Sequence, residues 1–298
     1  MKNILKTGLF LFCAGVMLFS CKEEELGPSQ IIDGNPPANA FDQWLYANYT
    51  QPYNIDFQYK LRDIETNLDF DVAPADIDKS IAMAKLVKFL WLETMAEVGG
   101  QDFAKAYAPK SILLVGSGLY RTTSYIVGYA EGGLKIAFSD VNSMDLDNIT
   151  MDYLSSRYLK TAFHENAHIL HQTKQYTADF ANLTATTYMG DDWPVAYSLD
   201  SAYRLGYVSN YASSEPNEDF AEIFAIYVTG GQENWDNILE RASQFNGGSP
   251  ASGRSIIEQK LEIVRNYMMG QWNIDMDELR GVFEARGARL DELDLKNL

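Results

Sequence analysis

Cysteine is nearly missing from this chain: 298 residues carry two, Cys13 and Cys21, and none follows position 21. A domain built from the remainder folds without a disulfide and depends on its core. Histidine is almost as scarce, with three residues in all. Basic charge is short too. The 24 Lys and Arg stand against 41 Asp and Glu, a net charge of −17, which argues against nucleic acid as a partner. The apolar run from Leu9 to Phe19 is too brief to span a membrane as a mature helix.

That run follows Lys2 and Lys6 and reads as a secretory leader over residues 1–20. Its end, Leu18-Phe19-Ser20-Cys21, resembles the lipobox of bacterial lipoproteins, with Phe19 bulkier than the usual pattern. The resemblance implies that Cys21 becomes a lipidated first residue. Lys22-Glu23-Glu24-Glu25 is similar to the tag that sends some Gram-negative lipoproteins to the outer face of the outer membrane. The other reading is an ordinary leader followed by a solvated charge run. Loss of Lys2 and Lys6 takes the charge from −17 to −19, which disfavours a polybasic membrane contact and leaves the lipid as the anchor. Residues 21–40, with Gly27-Pro28-Ser29 and Gly34-Asn35-Pro36-Pro37, read as a flexible tether.

Residues 41–298 have the content of a folded domain, since the chain is 46% hydrophobic and 13% aromatic. Residues 54–60 alternate polar and apolar, as a half-buried strand does. Asp76 opens a long helix through Ile81, Ala84, Val87, Trp91 and Met95, closed by Gly99-Gly100. Strand-like runs follow over 111–115, 125–130 and 134–138, the last two flanking the hairpin signal Glu131-Gly132-Gly133. Gly116-Ser117-Gly118 reads as a turn. Further helices are predicted over about 154–174, 218–228, 252–269 and 276–288. Strands first and helices afterwards suggest an α+β domain with a small mixed sheet and a helical C-terminal part.

All three histidines fall within eight residues. His164, Glu165 and His168 spell H-E-x-x-H, the helical pattern that holds a catalytic zinc. Positions i and i+4 share one helix face, so two imidazoles there can bind one ion while Glu165 reaches the metal's water. The apolar side of the helix is Leu159, Ala162, Phe163, Ala167 and Leu170. A third protein ligand is required. His171 lies about 10.5 Å beyond His164 on a straight helix, too far for both to bind one ion well, and it fits better as a residue supporting the site. The metzincin pattern would place glycine where His171 stands and histidine where Lys174 stands, so this chain is not one. Downstream, Ser214-Glu215-Pro216 signals a helix start. Glu218 and Glu222 then share a face of a helix whose other members, Phe220, Ile223, Phe224 and Tyr227, are apolar. Carboxylates on so apolar a helix want a cation or a hydrogen-bonding partner. Either glutamate can close the ligand set.

The run Glu218-x-Phe220-Ala221-Glu222-x-Phe224 resembles the corresponding helix of the anthrax lethal factor peptidase domain, a gluzincin. That resemblance implies Glu218 as the zinc ligand and Glu222 as the carboxylate orienting a histidine. It also implies Tyr211, seven residues upstream, as the donor to an oxyanion. Leader, Pro52-Tyr53-Asn54-Ile55, H-E-x-x-H-x-x-H and the late E-D-F-A-E helix together are similar to the substrate import-associated zinc metallohydrolase lipoproteins. The likeness implies one zinc per chain, a zincin-like fold, a peptide or protein substrate, and partners of the TonB-dependent receptor and SusD-like kind.

The expected chemistry is hydrolysis with Glu165 as general base, Tyr211 stabilising the oxyanion and Leu134–Phe138 as an edge strand aligning the peptide. Two rivals remain: a binding lipoprotein with a non-catalytic zinc, and a metallohydrolase of non-peptide amides. An intact Glu165 speaks against the first, because a structural zinc has no use for a base there.

Overall fold

The computed structural model describes residues 39–61, 72–121, 124–126, 128–131, 134–244 and 252–298, with side chains described outside 119–133. The expected leader, Cys21, nearly all of the tether and the turn at Gly132-Gly133 lie outside the described residues.

The chain enters through a short helix α1 (Ala40–Leu45), capped by the Asn39 side chain on the Asp42 N–H. It reaches β1 (Asp56–Gln58), where Ile55, Phe57 and Tyr59 point inward and their neighbours outward. Helix α2 (Ile77–Val87) starts after Asp76 and runs through a π turn into α3 (Glu93–Gly99), which Gly100 ends with a φ of +88°. Gly99 and Gly100 stop the helix where the sequence places the stop. Helix α4 (Gln101–Tyr107) follows, and the sequence reading did not anticipate it.

Among the described residues four strands form the main sheet, in the order β1, β2 (Ser111–Leu114), β6 (Lys135–Phe138), β5 (Gly128–Glu131). The first three are parallel and β5 is antiparallel to β6. A separate hairpin pairs β3 (Leu119–Arg121) with β4 (Ser124–Ile126). The strand expected over 125–130 is therefore two strands serving different sheets. The edge-strand expectation for Leu134–Phe138 is overturned: β6 is interior, hydrogen-bonded on both sides, and β5 ends the sheet. The sequence holds the reason. Ile136 and Phe138 face one core cluster while Ala137 joins Leu113 and Val115 on the opposite face, and a strand buried on both faces reads as a continuous apolar run. The turn after β2 needs a glycine, since a Cβ on Gly116 would fall 2.2 Å from the Pro74 carbonyl oxygen.

Beyond the sheet the chain is helical. Residues Met151–Leu154, capped by the Thr150 hydroxyl, pass through a π turn into α5 (Lys160–Thr173), a little longer at its start than predicted. Then come α6 (Leu199–Leu205), α7 (Pro216–Thr229), α8 (Gly231–Ala242), α9 (Gly253–Tyr267) and α10 (Met276–Gly287). Helix α7 is buried from Asp219 to Thr229 and is the centre of the helical part. It packs along α5, with Phe163 meeting Phe224 at 6.3 Å between ring centroids. Among the described residues no helix is long and apolar enough to cross a membrane.

Candidate metal centre

Helix α5 turns Ala162, Phe163, Ala167 and Leu170 into the core, which leaves the histidines on the flank that faces α7 and a cleft. Asn166 pins the helix from the other side by donating to the Tyr107 carbonyl at 2.8 Å. Proline at the first position of α7 fixes its start, so that Glu218 arrives in its first turn opposite the histidines. The result is a cleft of about 850 Å³ whose walls include Lys160, His164, Glu165, His168, Tyr211 and Glu218.

Three atoms converge in it. His164 Nε2 lies 2.9 Å from Glu218 Oε2, His168 Nε2 lies 3.3 Å from the same oxygen, and the two nitrogens are 3.0 Å apart. Donors on a tetrahedral zinc with bonds of ~2.0–2.1 Å stand about 3.3 Å apart. Each imidazole is held from behind. His164 Nδ1–H donates to the Glu222 carboxylate at 3.0 Å, and His168 Nδ1 shares a hydrogen bond with His171 Nε2 at 2.8 Å. With His168 as the donor in that pair, both Nε2 atoms carry lone pairs aimed at the Glu218 carboxylate. Three acceptors facing one point require a proton or a cation between them, and the residues present fit a zinc ion.

Electrostatics make the same demand. Burial pulls His164 down, but Glu218 and Glu222 outweigh it and hold the imidazole up at about 9. Burial lifts Glu218 as well, and the two histidines more than reverse that, holding it well below the usual carboxylate range. A zinc ion must therefore displace a proton from His164. Below pH 9 its apparent affinity is expected to rise about tenfold per pH unit, levelling above it. Titration calorimetry in buffers of different ionisation enthalpy would read the released proton, and a pH-independent affinity would contradict this account.

The remaining predicted residues surround this point. Burial, reinforced by His168, lowers His171 to about 4, so it is a neutral acceptor one hydrogen bond beyond the trio. Glu222 is buried; its Oε2 accepts from Lys160 at 2.8 Å and from the Ser209 hydroxyl at 2.5 Å. Glu165 lines the cleft, and burial raises its carboxyl against the pull of His164 and His168. Tyr211 has its ring 5.8 Å from that of His164. Burial and then the adjacent Glu218 push its phenol up, so it stays an O–H donor.

Sequence reasoning missed Lys160 and Ser209. Lys160 stands four residues before His164, and that spacing could have placed it on the histidine face. Ser209 carries no pattern that distinguishes it. Also missed was a buried pair behind the site: Lys260 on α9 donates to Asp219, the neighbour of Glu218, and both are fully buried.

A family profile described as "Putative zinc-binding metallo-peptidase" matches residues 35–277. The chain is also similar to a solved structure described as a putative zinc-binding metallo-peptidase from Bacteroides caccae ATCC 43185. The two are 41% identical, the match covers 86% of this chain and 95% of that one, and the TM-score is 0.75. No curated protein matches.

Proposed function

Because the chain belongs to the family described as putative zinc-binding metallo-peptidases, we propose that it is a zinc-dependent peptidase whose metal is held by His164, His168 and Glu218. The observation that carries this reading is the convergence of three lone-pair donors, each 2.9–3.3 Å from the others. Bound zinc would supply Lewis acidity, lowering the pKa of its water toward ~7 and polarising the scissile carbonyl. Glu165 is the general base: it accepts a proton from the attacking water and passes it to the leaving amine. Its place in the wall of the cleft, next in the chain to His164, supports the role. Tyr211 donates its O–H to the oxyanion. Glu222 and His171 keep the two imidazoles in the tautomer that leaves Nε2 free.

The test is zinc content. Purified protein is expected to hold one zinc per chain and Glu218→Ala to lose most of it. A wild-type protein that takes up no zinc on reconstitution, or a variant that keeps full occupancy, would sink the proposal. Cleavage of an amide outside a peptide would use the same residues, and a substrate panel distinguishes the two.

The proposal extends to place. The leader pattern and the family resemblance support an outer-membrane, surface-exposed lipoprotein anchored through Cys21 and serving nutrient import beside a TonB-dependent receptor and a SusD-like lipoprotein. Metabolic labelling with a palmitate analogue should mark the wild type and spare Cys21→Ala; equal labelling of both would refute the anchor. Co-purification of such a receptor with the tagged chain tests the partnership, and its absence from cross-linked membranes would argue against it.

A further inference from the structure

Tyr211 stands on a short 3-10 turn, Tyr211–Ser213, rather than on a helix face. The regular geometry that places the histidines and Glu218 does not reach its phenol. On the outer side the turn is held by the segment before it. Met189 N–H donates to the Ser213 carbonyl at 2.8 Å, Gly190 N–H to that of Ser214 at 3.0 Å, and the Trp193 ring meets Tyr211 edge-on at 5.0 Å.

On the inner side one hydroxyl faces both ways. Ser209 Oγ donates to Glu222 Oε2 at 2.5 Å and accepts the Ala212 N–H at 3.0 Å. The other two serines behave differently. Ser213 Oγ bonds the Asn210 carbonyl and Ser214 Oγ that of Tyr211, so they shape the turn internally without locating it against the site. Ser209 reaches α7, and it does so at the carboxylate whose other oxygen takes the His164 Nδ1–H.

We propose that Ser209 is a positioning residue that fixes the Tyr211 turn to the metal site through Glu222. The inference rests on the oxyanion role given to Tyr211 above. Ser209 touches neither substrate nor metal; it sets where the phenol sits. Displacing a catalytic donor by about 1 Å can lower a rate about 10²-fold, and the ceiling is the loss of Tyr211 itself, ~10²–10³.

The experiment compares wild type, Ser209→Ala, Ser209→Thr, Tyr211→Phe and the Ser209→Ala/Tyr211→Phe pair, each as the full chain, zinc-loaded, with fluorescein-labelled casein as probe. Ser209→Ala should keep its zinc, lose about 10- to 100-fold in kcat with little change in KM, and recover in Ser209→Thr. The double variant should be no slower than Tyr211→Phe alone. A wild-type rate for Ser209→Ala, loss of its zinc, or a double variant whose losses multiply would each overturn the proposal. A crystal structure of Ser209→Ala reads the same point without a substrate. The Tyr211 ring should leave its place 5.8 Å from His164, and a ring that stays there overturns the proposal. A wild-type protein that holds zinc but leaves casein intact counts against the peptidase reading, while the crystal structure still decides Ser209.

Discussion

Glu165→Gln is expected to keep its zinc and lose about 10²–10⁴ in kcat, the usual worth of a positioned general base. Glutamine preserves the shape of the side chain and can still hydrogen-bond, but it does not accept a proton near neutral pH. The three converging donors are His164, His168 and Glu218, so the substitution leaves the metal-binding set intact. Stability should hold or rise, since the buried carboxyl is penalised for its charge and the amide is not. The pH profile gives a second signature. A base must be deprotonated, so kcat/KM of the wild type climbs with pH as Glu165 ionises, and that limb should disappear in the variant. Turnover within a few-fold of wild type would remove Glu165 from the mechanism.

The largest stability effect is expected at Lys260→Met, roughly 3–5 kcal/mol at neutral pH, the range for breaking a buried ion pair. On the scale of a domain this size that is a fall in Tm of about 10 °C. Lys260 donates to Asp219 and, at 3.0 Å, to the Gly206 carbonyl, and it sits 4.3 Å over the Tyr207 ring. Asp219 also accepts from Tyr188 at 2.8 Å. Burial pushes Asp219 up to about 6 even with Lys260 beside it, and without the ammonium it should rise further. A carboxyl whose folded pKa is raised is favoured while protonated and penalised as pH climbs through that pKa. The deficit of the variant should therefore be small near pH 4 and largest above pH 7. Asp219→Asn added to Lys260→Met should restore much of the loss. A deficit that does not change with pH would show that lost packing, not the stranded carboxylate, is responsible.

The parts of this protein legible in its sequence are those that regular geometry governs. His164 and His168 share a face of α5 because four residues make about one turn, and Pro216 announced α7. The long helix from Asp76 to Gly99-Gly100 was visible through its periodic apolar residues and its glycine stop. Other features depend on contacts between distant segments. The run at 134–138 could be an edge or a centre, and the choice is made by β5 pairing on its far side. Helix α8 was legible too, since Trp235, Ile238, Leu239 and Ala242 fall on one face at the spacing of an apolar stripe, and the sequence reading missed it. Ser209 and the Asp219–Lys260 pair are visible only once α7, α9 and the turn before α7 are brought together, because nothing local sets that serine or that lysine apart from its neighbours.

The donors of the metal centre come from two helices, and His164 and Glu218 are 54 residues apart in the chain. A metal bound there joins α5 to α7 and closes the intervening stretch into a ring. In a chain with no cysteine after position 21, an ion there would make the cross-link that a disulfide makes elsewhere, but one released on unfolding, so that its binding free energy adds directly to the stability of the folded state. Chelation should accordingly do more than silence the protein. The segment from 174 to 215, tied at both ends while the ion is present, should be the first to become susceptible to proteolytic nicking once it is withdrawn.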